Sequence, residues 1–147
     1  MVINLIDLES WIEQLKTECP IFEGRVFETI ENDNAALEFY ASPLALVYVS
    51  GDNAESSASN LGINQLHHYQ ITVKTVVRKT VDKNDRLNAC DSRLMRACRL
   101  EILNALLGWM PDDCSQPVEH LNGKLSMNGD LLLWTDNFIT NDYLRRV

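Results

Sequence analysis

The sequence is short of the residues from which small enzymes usually build a site. It has three histidines (His67, His68 and His120), six glycines and four cysteines in 147 residues. His67 and His68 are adjacent in a strand-like stretch, so they point to opposite faces and cannot both serve one metal. Pairing and surface roles account for all three. No GxSxG nucleophile motif, GxGxxG fingerprint or GxxxxGK[ST] phosphate loop occurs. Asp112-Asp113 follows a proline turn, where acids solvate a loop, and nothing partners them as ligands. Cys19, Cys90, Cys98 and Cys114 include no CxxC pair, and a chain of this length needs no disulfide scaffold. They read as buried, reduced thiols. The expectation is a protein that is not an enzyme, with no cofactor and no metal.

Two further absences narrow the class. No apolar run approaches the roughly 20 residues that span a bilayer, so no membrane is expected. The start, MVINLIDLESW, lacks a basic n-region and a small-residue cleavage site, which points to assembly in a cytoplasm. Hydrophobic residues at 46% and charged residues at 23% are ordinary globular values, enough for a single domain over 1–147.

Charge is present but segregated. The net charge is −8; residues 1–40 hold nine acids against Lys16 and Arg25, whereas residues 65–110 hold eight bases against four acids. Either these fields pair within one chain as solvated faces, or one subunit's acidic segment meets the next subunit's basic segment. The second alternative places Glu9 and Glu13 opposite Arg86, Arg93, Arg96 and Arg99 at a subunit interface. A dominant basic footprint for non-specific nucleic-acid binding is missing.

Residues 4–18 read as an amphipathic helix capped by Asn4 or Asp7, with Leu5, Leu8, Ile12 and Leu15 at helical spacing and Pro20 as its stop. Strand-like pieces follow at 25–30, 35–40 and 44–49, the last apolar enough to be covered on both faces. Residues 51–64 (GDNAESSASNLGIN) predict a mobile loop, with Asp52, Asn53, Glu55 and Asn60 as contact residues. Residues 65–80 alternate over a long stretch and predict a strand with one face buried. Residues 84–107 predict the longest helix, with an apolar stripe through Leu87, Cys90, Leu94, Ala97, Cys98, Ile102, Ala105 and Leu106. Gly108 and Pro111 terminate it. Asn122-Gly123 and Asn128-Gly129 predict two tight turns in a C-terminal hairpin region. The fold class is α+β: a mainly antiparallel sheet packed by an N-terminal helix and one long helix, with C-terminal hairpin strands.

The helix end Ala105-Leu106-Leu107-Gly108-Trp109-Met110-Pro111, the hairpin dipeptides, Trp134, and Phe138-Ile139-Thr140 followed by Tyr143 together resemble the bacteriophage tail terminator and tail-completion family. The N-terminal half is similar in element order, with Pro43-Leu44-Ala45-Leu46-Val47 ahead of a polar loop and a long strand. On the residues alone, Gly108, Trp109 and Pro111 are a helix cap, an aromatic lid and a stop; with Trp134 and Phe138 they are structural. The resemblance implies a ring, typically a hexamer, on the last ring of the tail tube at the head-proximal end of the virion. Such a ring stops tube polymerisation and presents the surface that joins the head. Its implied partners are further copies of itself, the tail tube protein and a head-completion or neck protein, with phage DNA passing through the lumen unread. The rival readings are a head–tail connector, another tail subunit, or a small ligand-binding or enzymatic domain using His68 or His120.

Overall fold

The computed structural model describes residues 5–29, 41–57, 62–80, 89–112 and 114–146. The expected cap Asn4, the strand piece at 35–40, Asn60, Arg86 and Leu87 lie outside them. The elements run α1 (Glu9–Glu18), a 3-10 turn (Pro20–Phe22), β1 (Val26–Glu28), β2 (Leu44–Ala54), β3 (Ile63–Arg78), α2 (Ala89–Leu106), β4 (Glu119–Asn128) and β5 (Leu131–Arg146). The five strands form one sheet in the order β1-β2-β3-β5-β4. Among the described residues β1 and β2 pair in parallel and the other three pairings are antiparallel. The fold is α+β, as the sequence indicates.

Both helices lie on one face of the sheet. Alternation along the strands sends Val26, Ala45, Val47, Ile71, Val73 and Phe138 to that face, where Trp11, Leu15, Cys98, Ile102 and Leu106 meet them in the main core. The opposite face carries a second buried set, Leu44, Leu46, Val76, Leu131 and Leu133, with Phe27 against it. Strand β2 is thus covered on both sides over Leu44–Val47, in line with its unbroken apolar run. The alternation of β3 predicts one buried face and another that is wet or at an interface; residues 71–77 are buried on both sides, Thr72 and Lys74 included.

α1 begins later than its periodicity indicates. The Asp7 carboxylate accepts the Glu9 backbone N–H at 3.0 Å, and Leu8 occupies the cap position. Stripe residues Trp11 and Leu15 are fully buried. In α2 the first part of the stripe is displaced by one position: Asp91 and Met95 face inward, while Cys90 and Ala97 are exposed. The cause is local. Asp91 accepts the Thr80 N–H at 2.7 Å, and Met95 packs with Val77 and Leu132, which rolls that end of the helix. Its other end follows the sequence closely. Gly108 adopts φ 77° and donates to the Val118 carbonyl at 3.0 Å, Val118 donates back to Trp109 at 2.8 Å, and Pro111 is buried.

Three boundaries change in the sheet. Strand β5 runs for 16 residues, paired with β3 from Leu131 opposite Arg78 to Arg146 opposite Ile63. Strands β2 and β3 extend into the segment expected to be a loop: residues 51–54 and 63–64 are strand, with Asp52 opposite Tyr69 and Ala54 opposite His67. The continuous backing of β5 carries that ladder outward. Finally, Asn122-Gly123 is not a turn but lies within β4, just after a register slip between His120 and Asn122. Asn128-Gly129 is the hairpin turn, with Gly129 at φ 59°.

Candidate functional site

Strands β4 and β5 are tied to α2 by one buried carboxylate. Asp136 of β5 is fully buried. It accepts from Arg99 of α2 twice, Nη2 to Oδ1 at 2.7 Å and Nε to Oδ2 at 3.0 Å, and from His120 Nε2 of β4 at 2.9 Å. The guanidinium also lies 4.0 Å from the centre of the Trp134 ring. A planar, bidentate ion pair of this kind fixes geometry more than a lysine would. Arg99, expected as a free cation at a subunit face, is therefore already neutralised within the chain. The His120 ring packs edge-on against Phe138, itself part of the main core, with ring centres 5.3 Å apart.

Beyond this cluster β4 diverges from α2 and leaves a trough of about 510 Å³. Leu100 and Leu103 line it from the helix, Leu125 and Met127 from β4, and Trp134 from β5; Arg96 stands in its wall. Arg93 and Arg96 are exposed, and among the described residues neither has an ion-pair partner.

The other flank has the opposite character. A groove of about 640 Å³ runs beside α1, lined by Asp7, Glu9, Glu13 and Asp112, with Trp109 beside them. Trp109 is held edge-on to Trp11 at 5.4 Å between ring centres. Glu9 and Glu13 stand one turn apart on the exposed side of α1. The acidic groove lies beside α1, which packs on β1 and α2, and the trough lies between α2 and the β4–β5 hairpin, so the two are separate concavities.

A third feature is the arm formed by the outer ends of β2 and β3. His67 is buried, and its Nε2 lies 2.6 Å from Asp52 Oδ2. His68, on the other face, meets Asn141 through Nδ1 and Glu55 through Nε2 at 3.3 Å. The two histidines pair with different acids on opposite faces, as their adjacency requires. Asp52, Asn53 and Glu55 are exposed on this arm.

The arrangement offers little to bond-making. Burial, with Glu101 adding to it, pushes the Cys19 and Cys98 thiols up to about 12, so neither is a nucleophile at neutral pH. Among the described residues, no group of three His, Cys, Asp or Glu side chains is placed to hold a metal ion. No helix among them is long and apolar enough to cross a membrane. The sequence shows the segregation of charge between residues 1–40 and 65–110 but not the Asp136 cluster or the apolar walls of the trough. A signal for the trough was present: Leu125 and Met127 alternate on an edge strand, and Leu100 lies off the main stripe of α2.

No curated protein matches the chain in sequence. Among solved structures, it is similar to a chain of the virion of a native gene transfer agent (GTA) particle, at 13% identity over 91% of this chain and 90% of that one, with a TM-score of 0.48. A likeness of that degree carries no functional weight. The family model described as phage tail terminator protein matches residues 1–146. The chain belongs to the phage tail terminator family and is a structural protein of phage tails.

Proposed function

We propose that this tail protein closes into a ring, with six copies as the expected number, on the last ring of the tail tube. There it ends tube polymerisation and presents the surface that joins the head. The observation that supports the ring is the placement of unlike charge at two separate concavities, carboxylates beside α1 and Arg96 in the wall of the trough. A surface that complements a different part of the same chain, and not itself, suits a head-to-tail contact, and such contacts form a ring when the rotation closes. Glu9 and Glu13 of one copy would face Arg93 and Arg96 of the next; Arg99 lines the same wall with its charge already engaged. Family membership supports the tube end as the location.

The remaining assignments belong to the same proposal. The β2–β3 arm, with Asp52, Asn53 and Glu55, is the contact to the tail tube protein or to a head-completion or neck protein. DNA crosses the lumen without being read, consistent with a chain of net charge −8. Native mass spectrometry of Arg93→Glu with Arg96→Glu tests the ring contact. Loss of the ring in favour of monomer supports it, and unchanged rings at moderate salt contradict it. A connector role is separated by phenotype, since loss of a connector leaves finished tails unattached.

A further inference from the structure

We propose that the trough between α2 and the β4–β5 hairpin is a socket for the α1 flank of a second copy of this chain, with Leu5 as its apolar plug. The inference rests on the ring reading and adds to it a specific, non-ionic contact.

The trough is unusual for a surface that stays in water. Leu100 is 57% exposed, Met127 51% and Leu125 42%, and all three line one concavity. Apolar side chains scattered singly on a surface are ordinary, but a concave cluster of them with a charged rim marks an interaction site. Its outer wall is β4, which among the described strands pairs with β5 alone and forms an edge of the sheet. Such an edge is normally shielded, and here no described element covers it.

Charge complementarity identifies the occupant. Arg96 in the trough wall, and Arg93 exposed nearby on α2, lack a carboxylate among the described residues of their own chain, while Asp91 in the same lining is engaged by the Thr80 N–H. Leu5 is 67% exposed and lies just ahead of α1, followed by Asp7, Glu9 and Glu13. An exposed leucine with carboxylates on one side matches an apolar socket with arginines on one wall. Plug and socket are different parts of the chain, one beside α1 and the other between α2 and the β4–β5 hairpin, so one copy can engage a second through the first and a third through the other, as a closed ring requires. Rim arginines would set register and rate of encounter, while the buried leucine would slow dissociation.

The test places a photo-crosslinking amino acid at Leu125 in intact assembled tails. The expected product is a dimer of this chain, with the crosslink mapped by mass spectrometry to residues 5–13. A crosslink to the tube protein, to a head protein, or to another segment of this chain overturns the proposal, as does none at all. Leu5→Asp is the second variant: it should keep the helical circular-dichroism spectrum and lower ring formation by about tenfold or more. Full ring formation by folded Leu5→Asp also overturns it. Overlong tails on loss of the chain, together with a failed crosslink, would reject the socket and leave the capping reading standing.

Discussion

Gly123 lies so close to Asp136 that a methyl group on Gly123 would come within 2.6 Å of the Asp136 Oδ1 atom and 2.7 Å of Trp134 Nε1. The glycine is needed for close approach, not for a turn. It lets β4 pass over the buried Arg99–Asp136–His120 cluster that fixes the hairpin to α2, and so sets the mouth of the trough.

Gly123→Ala should therefore cost about 1–3 kcal/mol through overpacking, although no positive φ is involved. Gly108→Ala is the contrast. There a methyl group meets nothing within 4 Å, and the φ of 77° alone should cost about 1 kcal/mol. Thermal unfolding separates the two, at roughly 2–4 °C per kcal/mol for a chain of this size. In crosslinking at Leu125, only Gly123→Ala should change the yield.

Asp136→Ala should be among the most damaging single changes. It leaves the guanidinium of Arg99 and the imidazole of His120 beside an empty carboxylate site. Removing one partner of a buried pair costs about 3–5 kcal/mol. Arg99→Ala with Asp136→Ala should be less destabilising than the sum of the single variants in a double-mutant cycle. Additive effects in urea unfolding would contradict the coupling.

Alkali should weaken the fold through two buried thiols. Cys19 and Cys98 are pushed up to about 12 from the ordinary 9.0, chiefly by burial. In the unfolded chain both ionise near 9.0, whereas the folded chain holds them neutral. Their stabilising contribution is complete below that point and is lost as pH climbs from 9.0 towards 12, each group adding about 1.4 kcal/mol per pH unit. Urea midpoints at about pH 8 and about pH 10.5 should differ for the parent protein, and the difference should shrink in Cys98→Ala. At pH 8 a thiol reagent should label exposed Cys90 and spare Cys19 and Cys98.

Lys74 works in the opposite direction. It is buried between Leu46 and Thr135 on the helix-free face, has no ion-pair partner among the described residues, and burial lowers its pKa. The destabilisation is present at neutral pH and is relieved as pH rises towards the ordinary lysine value of 10.5. Lys74→Met should raise stability at pH 7 by about 1 kcal/mol or more. A lower unfolding temperature would show that the ammonium is held by a favourable contact.

The sequence displayed what local periodicity can display. The alternation of residues 65–80 became β3, and Gly108-Trp109 with Pro111 ended α2 as written. What it concealed depends on polar groups satisfied across the fold. Asp136, Asn137 and Asn141 break the apolar pattern of β5, yet each has partners that no local window contains: Arg99 and His120, Thr72 and Asn122, His68 and Gln116. Asn122-Gly123 reads as a turn because a positive φ and a close approach both select glycine. The two charged flanks were visible as composition. The trough was not, since it exists only where β4 leaves α2.

The most direct test of the central claim is tail length, measured by electron microscopy of particles from phage carrying a nonsense codon in this chain. Tubes longer than the parent length and unattached to heads are the predicted result. Tubes of parent length, unattached or attached, would contradict a role in ending the tube.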